Sequence, residues 1–129
     1  MEKMFEPITI GNLELKNRFM RSATWDATAD ETGAVTDISV ELYRRLGEGD
    51  IGLIVSGFAF VSSHGQALRA QYGIYADEMI PGLRRMAKAA QQNGSKVAAQ
   101  IVHSGNKSLF FSKQGIQQLA MSYNILTGR

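Results

Sequence analysis

The sequence predicts an α/β fold built around a parallel sheet. Three apolar, strand-like segments begin near residues 18, 51 and 96, and a segment of helical period lies in each gap between them. Strand–helix–strand–helix–strand amounts to two consecutive βαβ units, which fold onto a parallel sheet. Composition agrees. With 44% hydrophobic and 20% charged residues among 129, the chain has enough apolar matter to bury a core instead of staying disordered.

Ahead of the first strand, Pro7-Ile8-Thr9-Ile10 and Leu13-Glu14-Leu15 flank Gly11-Asn12. This reads as a hairpin with glycine first in its two-residue turn, as a type II′ turn prefers. A strand over residues 18–24 follows, then a polar stretch over 26–33. Thr36 is placed to cap a helix, Asp37 suits the positive end of the helix dipole, and Ile38, Leu42 and Leu46 recur every four residues. Glu41 and Arg45 stand four apart in the favoured order, and Gly47 is expected to end the helix in a left-handed cap.

Residues 51–61 are almost continuously apolar, the signature of a strand covered on both faces. A second helix is expected to begin between Asp77 and Pro81, to face inward through Leu83, Met86, Ala87 and Ala90, and to close at Asn93-Gly94. The third strand covers residues 96–102. Beyond Val102 only a short helix around residues 116–121 is suggested.

Charge and composition exclude several function classes. Fourteen Lys+Arg against twelve Asp+Glu give +2, with no dense basic stripe interleaved with aromatics, so no nucleic-acid partner is expected. The absence of cysteine removes disulfides, thiolate zinc sites and a cysteine nucleophile, and fits a reducing compartment. No basic start followed by an apolar run marks a secretory signal, and residues 51–61 are far short of a membrane span. A cytoplasmic protein with no membrane partner is the expectation.

Ligands of parallel sheets bind at the carboxyl ends of the strands. Three segments are singled out by that rule: Ser22-Ala23-Thr24-Trp25, Ser56-Gly57-Phe58-Ala59 and Gln100-Ile101-Val102-His103. An amide buried at Gln100 would need three or four hydrogen-bond partners, which a flat heterocycle with paired carbonyl and N–H groups supplies; loop backbone at a strand end is the alternative. Gly57 reads either as a bulge or as a close approach by a ligand. His103 fits an acid/base group or a phosphate partner, and equally a structural histidine bonded to a neighbouring loop. His64 lies in a polar loop with a weaker claim. Trp25 either stacks on a ligand or plugs the mouth of the sheet.

Two patterns fail on context. Gly47-Glu48-Gly49-Asp50-Ile51-Gly52 spells G-x-G-x-x-G, but it follows a helix and enters a strand, the reverse of the dinucleotide-binding order. Gly105-Asn106-Lys107-Ser108 resembles the tail of a phosphate loop without its upstream glycine, leaving at most a local anion nest. Asp26, Asp30 and Glu31 form no evident catalytic pair, and no metal site is expected.

Taken together, several segments resemble one family. Phe5-Glu6-Pro7-Ile8-Thr9-Ile10-Gly11-Asn12-Leu13-Glu14-Leu15-Lys16-Asn17-Arg18 is similar to the opening of the Old Yellow Enzyme family of FMN-dependent NADH:flavin oxidoreductases and ene-reductases. Gly52-Leu53-Ile54-Val55 with Gly57, and Gln100-Ile101-Val102-His103-Ser104-Gly105, fall where that family has its second and third strands. The resemblance covers residues 4–107. It implies part of a (β/α)8 TIM barrel, namely its first three β/α units behind an N-terminal β-hairpin, over residues 1–107. It sets residues 108–129 apart as a divergent tail.

By the same resemblance Ser22, Ala23, Thr24 and Trp25 match the loop that meets the flavin through its backbone. Gly57 matches a small residue near the ring, Gln100 the glutamine that bonds the flavin pyrimidine, and His103 lies in the substrate or flavin neighbourhood. FMN is the implied cofactor, NAD(P)H the electron donor, and an activated alkene or related small molecule the acceptor. There are departures: Ala23 stands where proline is common, Trp25 at the position that tunes flavin potential in many members, and Asn106 where arginine is usual.

The family's histidine pair, proton-donating tyrosine and flavin-phosphate site lie downstream of the matching segments. A closed barrel takes roughly 250 residues, so three units are expected here and roughly five outside. On that expectation the chain alone holds FMN weakly and does not turn over. The alternative is a non-catalytic barrel portion that pairs with itself or a complementary chain through exposed sheet edges. A third reading is a self-contained α/β binding module completed by its tail, which offers only Ile116, Leu119, Ile125 and Leu126 for the purpose.

Overall fold

A computed structural model describes residues 2–115. Strands β1 (Ile8–Ile10) and β2 (Leu13–Leu15) form the expected hairpin, with Ile10 opposite Leu13 and Gly11 at φ +58° in the turn. The chain leaving the hairpin is fastened to the amino ends of the later strands. Lys16 Nζ donates to Asn93 O at 2.8 Å and pairs with Asp50 at 2.7 Å, and Asn17 Nδ2 donates to Asp50 O at 2.6 Å.

Strand β3 (Met20–Arg21) pairs in parallel with β4 (Leu53–Val55), which pairs in parallel with β7 (Lys96–Ala98). A second parallel set orders β6 (Tyr72–Gly73), β5 (Ala59–Phe60) and β8 (Ile101–Val102). The two sets are joined through the chain. The apolar run over 51–61 is β4 and β5 with a break at 56–58, and the run over 96–102 is β7 and β8 with a break at 99–100. Ser56 N to Ala98 O and Ala59 N to Gln100 O, both 2.8 Å, carry the ladder across the breaks. On the other side of the central run, β3 serves β4 and β6 serves β5. The strand expected over 18–24 is therefore only two residues long, because from Ser22 onward its place in the sheet passes to β6.

Helix α1 (Asp37–Glu48) starts at a reciprocal cap: Ser39 N donates to Thr36 Oγ1 at 3.3 Å and Thr36 N donates to Ser39 Oγ at 3.2 Å. Helix α2 (Ile80–Gln91) follows a 3-10 turn over Asp77–Met79 and places Pro81 in its first turn, where the missing N–H costs nothing. The expected Glu41–Arg45 pair is present at 2.8 Å, and Gly94 closes the second helix at φ +81°. After β8 come a 3-10 turn, Gly105–Lys107, and the four-residue α3 (Leu109–Ser112), capped by Ser108. The helix expected around 116–121 lies outside the described residues.

Two expectations about α1 are corrected. Its buried stripe is Ser39, Tyr43 and Gly47, with Leu42 and Leu46 flanking and Ile38 69% exposed. Hydropathy favours Ile38, but Ser39 and Tyr43 each find a buried hydrogen-bond partner, which makes a polar stripe tolerable inside. Gly47 does not end the helix. The helix runs on to Glu48, and Asp50 takes the left-handed conformation at φ +57°. Gly47 is buried instead where the backbone of α2 crosses, and the core closes around Tyr43, Ile54, Ala59, Tyr72, Met86 and Ala90.

Candidate functional site

The carboxyl ends of the strands bring together residues 22–25, 56–58, 99–100 and the turn after β8. Gly57 is the junction. A side chain there would stand 2.9 Å from Thr24 O and 3.4 Å from the Tyr72 ring, so glycine alone lets the loop after β3 lie against the central run. The neighbouring Ser56 Oγ accepts from Gln100 N at 3.2 Å and donates to Gly57 O at 2.8 Å. Ser22–Thr24 and Gln100 therefore meet at Gly57 from opposite sides.

Of these side chains, Ser22, Thr24 and Trp25 are exposed and Ala23 is half-buried; Trp25 retains 43% of its surface. Gln100 is exposed as well, which corrects the expectation of a buried amide. Strands β7 and β8 are edges among the described residues, so no described strand covers this position. The Gln100 amide makes no side-chain hydrogen bond among the described residues.

His103 is exposed and leaves the rim along a different path. Its Nδ1 accepts from Gly105 N at 3.0 Å, which puts the proton of the neutral ring on Nε2. The ring packs on Gly65, where a side chain would come within 2.9 Å of Cδ2. His64 lies beside Phe111, with ring centroids 6.4 Å apart. Both histidines thus belong to the contact between the 61–71 loop and the turn after β8. Ser104 Oγ and Ser108 Oγ also donate to Gln66 O there.

Sequence reasoning passed over the polar cluster beneath residues 22–25. Asp26 Oδ1 accepts from Thr28 N at 3.3 Å and Thr28 Oγ1 at 3.0 Å, and the Tyr72 hydroxyl lies 2.6 Å from Thr28 Oγ1. Thr36 and Ser39 hydroxyls both donate to Thr28 O. Ala27, between Asp26 and Thr28, takes a left-handed backbone at φ +55°, an uncommon conformation for alanine that turns both neighbours inward. Burial pushes the Tyr43 and Tyr72 phenols above their usual range, so both stay protonated. Asp26 Oδ2 and Arg21 Nη1 are buried without a hydrogen-bond partner among the described residues. No signal short of the three-dimensional neighbourhood would have flagged Asp26.

The Gly47–Gly52 pattern remains discounted. Gly47 lies in a helix and Gly52 packs on Asn17, so neither forms a phosphate cradle. Among the described residues no group of three or more His, Cys, Asp or Glu could hold a metal, and no helix is long and apolar enough to cross a membrane.

Comparison with known proteins places these features in context. Residues 3–122 match the model of the NADH:flavin oxidoreductase / NADH oxidase family, past residue 107 where the sequence resemblance stopped. NADH:fumarate oxidoreductase of Klebsiella pneumoniae is 38% identical over 105 residues, covering 81% of this chain and 11% of that protein. NADPH dehydrogenase of Bacillus subtilis is 32% identical over 107 residues, covering 82% of this chain and 32% of that protein. The old yellow enzyme homologue from Zymomonas mobilis superposes with a TM-score of 0.83 at 25% identity, over 95% of this chain and 34% of that structure. The chain thus spans no more than about a third of the length of these relatives.

Proposed function

The chain belongs to the NADH:flavin oxidoreductase / NADH oxidase family, and we propose that it forms the first three β/α units of a (β/α)8 barrel and carries the ring side of its flavin site. The family's cofactors are FMN and NAD(P)H. The reaction that fits is hydride transfer from NAD(P)H through flavin to an activated alkene or a related small acceptor. Bound flavin supplies the hydride chemistry; the protein binds, orients and tunes the ring.

One observation carries this reading. At the rim, Gly57 lets the loop of residues 22–25 close against the central run, and the Gln100 amide is exposed and makes no side-chain hydrogen bond among the described residues. A flat heterocycle with alternating donors and acceptors matches that set. Gln100 offers one acceptor and two donors in a plane, and the backbone of residues 22–25 offers further polar groups outside any sheet ladder. The same exposure that removes a structural partner from Gln100 leaves it available to a ligand. Trp25, exposed on the loop after β3, sets access to the ring, and His103 Nε2 is a further donor.

Held by its ring alone, FMN binds with a Kd on the order of 1 mM, about 4 kcal/mol. Saturation-transfer NMR on FMN tests this at such affinities. The ring methyl protons should receive saturation well above the ribityl protons, and riboflavin should behave as FMN does. Saturation strongest on the ribityl phosphate end, or none at several millimolar FMN, would sink the proposal. A cytoplasmic setting belongs to the same reading, in keeping with the cysteine-free sequence.

A second reading rests on a separate observation. Met20 and Ile101 are 60% and 65% exposed, on strands that have an unpaired edge among the described residues. Such edges invite pairing with another copy or a complementary chain. Size-exclusion chromatography discriminates, since a folded monomer at high concentration counts against self-pairing.

A further inference from the structure

Gly57 sits where a regular sheet would have placed a different hydrogen bond. Leu53 N donates to Phe19 O at 3.1 Å, and Arg21 lies opposite Ile54 in a parallel ladder. Continuing that two-residue repeat up the pair of strands would bring Gly57 N to Ala23 O. It goes elsewhere. Gly57 N donates to the Tyr43 hydroxyl at 2.9 Å. Tyr43 is a fully buried residue of α1 on the outer face of the sheet.

We propose that Tyr43 is a positioning residue for the flavin ring: its hydroxyl takes the Gly57 amide away from the ladder and so frees the backbone of residues 22–25 to face a ligand. The proposal rests on the flavin-site reading above and adds to it a residue that never touches the ring. A phenol that accepts from Gly57 N still has its own proton to place. Asp26 Oδ2 is buried without a hydrogen-bond partner among the described residues, and the Asp26 charge acts on the phenol, helping to keep it protonated behind the larger effect of burial. The charged groups facing Tyr43 are thus Asp26 from the loop after β3 and Arg21 from β3 itself.

The alternative is that the hydroxyl merely satisfies a buried amide. Tyr72 provides the contrast. It is equally buried, packs edge-on against Tyr43 with centroids 6.3 Å apart, and hydrogen-bonds Thr28 rather than Gly57. Tyr43→Phe and Tyr72→Phe each remove one buried hydroxyl and keep the ring, but only the first releases Gly57.

The test uses the whole chain with FMN as probe, following amide shifts by NMR and the exchange rate of the Gly57 amide without FMN. Tyr43→Phe should speed Gly57 exchange at least tenfold beyond any global change and weaken FMN binding about fivefold. Tyr72→Phe should leave both within about twofold. Should Tyr43→Phe fail to fold, Asp26→Asn, which keeps the phenol but removes the charge acting on it, should move both readouts in the same direction to a smaller extent. Unchanged FMN binding in Tyr43→Phe, equal effects from Tyr72→Phe, or a silent Asp26→Asn where it is the variant used, would overturn the proposal while leaving the flavin-site reading standing. No FMN response from the unmodified chain would overturn both.

Discussion

Gly47 of α1 lies against the backbone carbonyl of Ala90 of α2, so close that even a methyl group at Gly47 would collide with it. This contact sets how the two outer helices pack over the sheet, and it converts an apparent helix terminator into a packing residue. The glycine costs helix stability locally, roughly 1 kcal/mol relative to alanine, and the close crossing offsets it.

Gly47→Ala should therefore destabilise the fold despite its better helix propensity. Backbone cannot move aside as a flexible side chain can, so overpacking of about 1–3 kcal/mol outweighs the propensity gain. Urea denaturation read by circular dichroism measures it. A more stable variant would show that the helices separate freely.

The reciprocal cap at Thr36 yields a second expectation. Thr36 Oγ1 accepts from Ser39 N and donates to Thr28 O, so one hydroxyl ties the start of α1 to the loop above it. Thr36→Ala should cost about 1–2 kcal/mol, and Thr36→Ser should restore most of it.

Acid should weaken the fold through two carboxylates. Arg44 and Arg45 hydrogen-bond Glu41 and lower it to about 2. Asp30 is also lowered: burial works against this, but hydrogen bonds from the Thr32 side chain and the backbone of Ala34, Thr32 and Gly33 outweigh it. A depressed carboxylate adds stability that is fully present above its unfolded pKa and is lost as pH falls through the folded value. For Glu41 that window runs from about 4.5 down to about 2. Melting temperatures across this range should fall less steeply for Asp30→Asn than for the parent chain. Glu41 lies at the half-exposed surface of α1 and its arginine partners reach solvent, so its share should shrink with added salt.

Gln100→Ala separates binding from stability. The side chain is exposed and makes no hydrogen bond among the described residues, so the substitution should leave the unfolding free energy within about 0.5 kcal/mol while weakening FMN binding several-fold. A large loss of stability would mean that the amide has a structural partner after all.

The order of elements was legible in hydropathy because both amphipathic helices and the central apolar run carry strong periodic signals. The hairpin turn, the Thr36 cap and the Glu41–Arg45 pair were legible because each depends on residues close in sequence. What escaped was set by partners far along the chain. Ile38 and Ser39 exchanged their expected places because Thr28 supplies an acceptor eleven residues upstream. Residues 51–61 broke at 56–58, where Gly57 N donates to the Tyr43 hydroxyl fourteen residues upstream. Gln100 proved open, since whether a strand lies at an edge depends on topology, which periodicity does not encode.

Mapping FMN-induced amide shifts across the chain decides whether the carboxyl-end rim holds a flavin ring edge. The largest shifts should fall at residues 22–25, Gly57 and Gln100, with the amino-end groove lined by Phe5, Phe19, Gly49 and Ile51 silent. Shifts concentrated in that groove, or spread evenly over the surface, would contradict it.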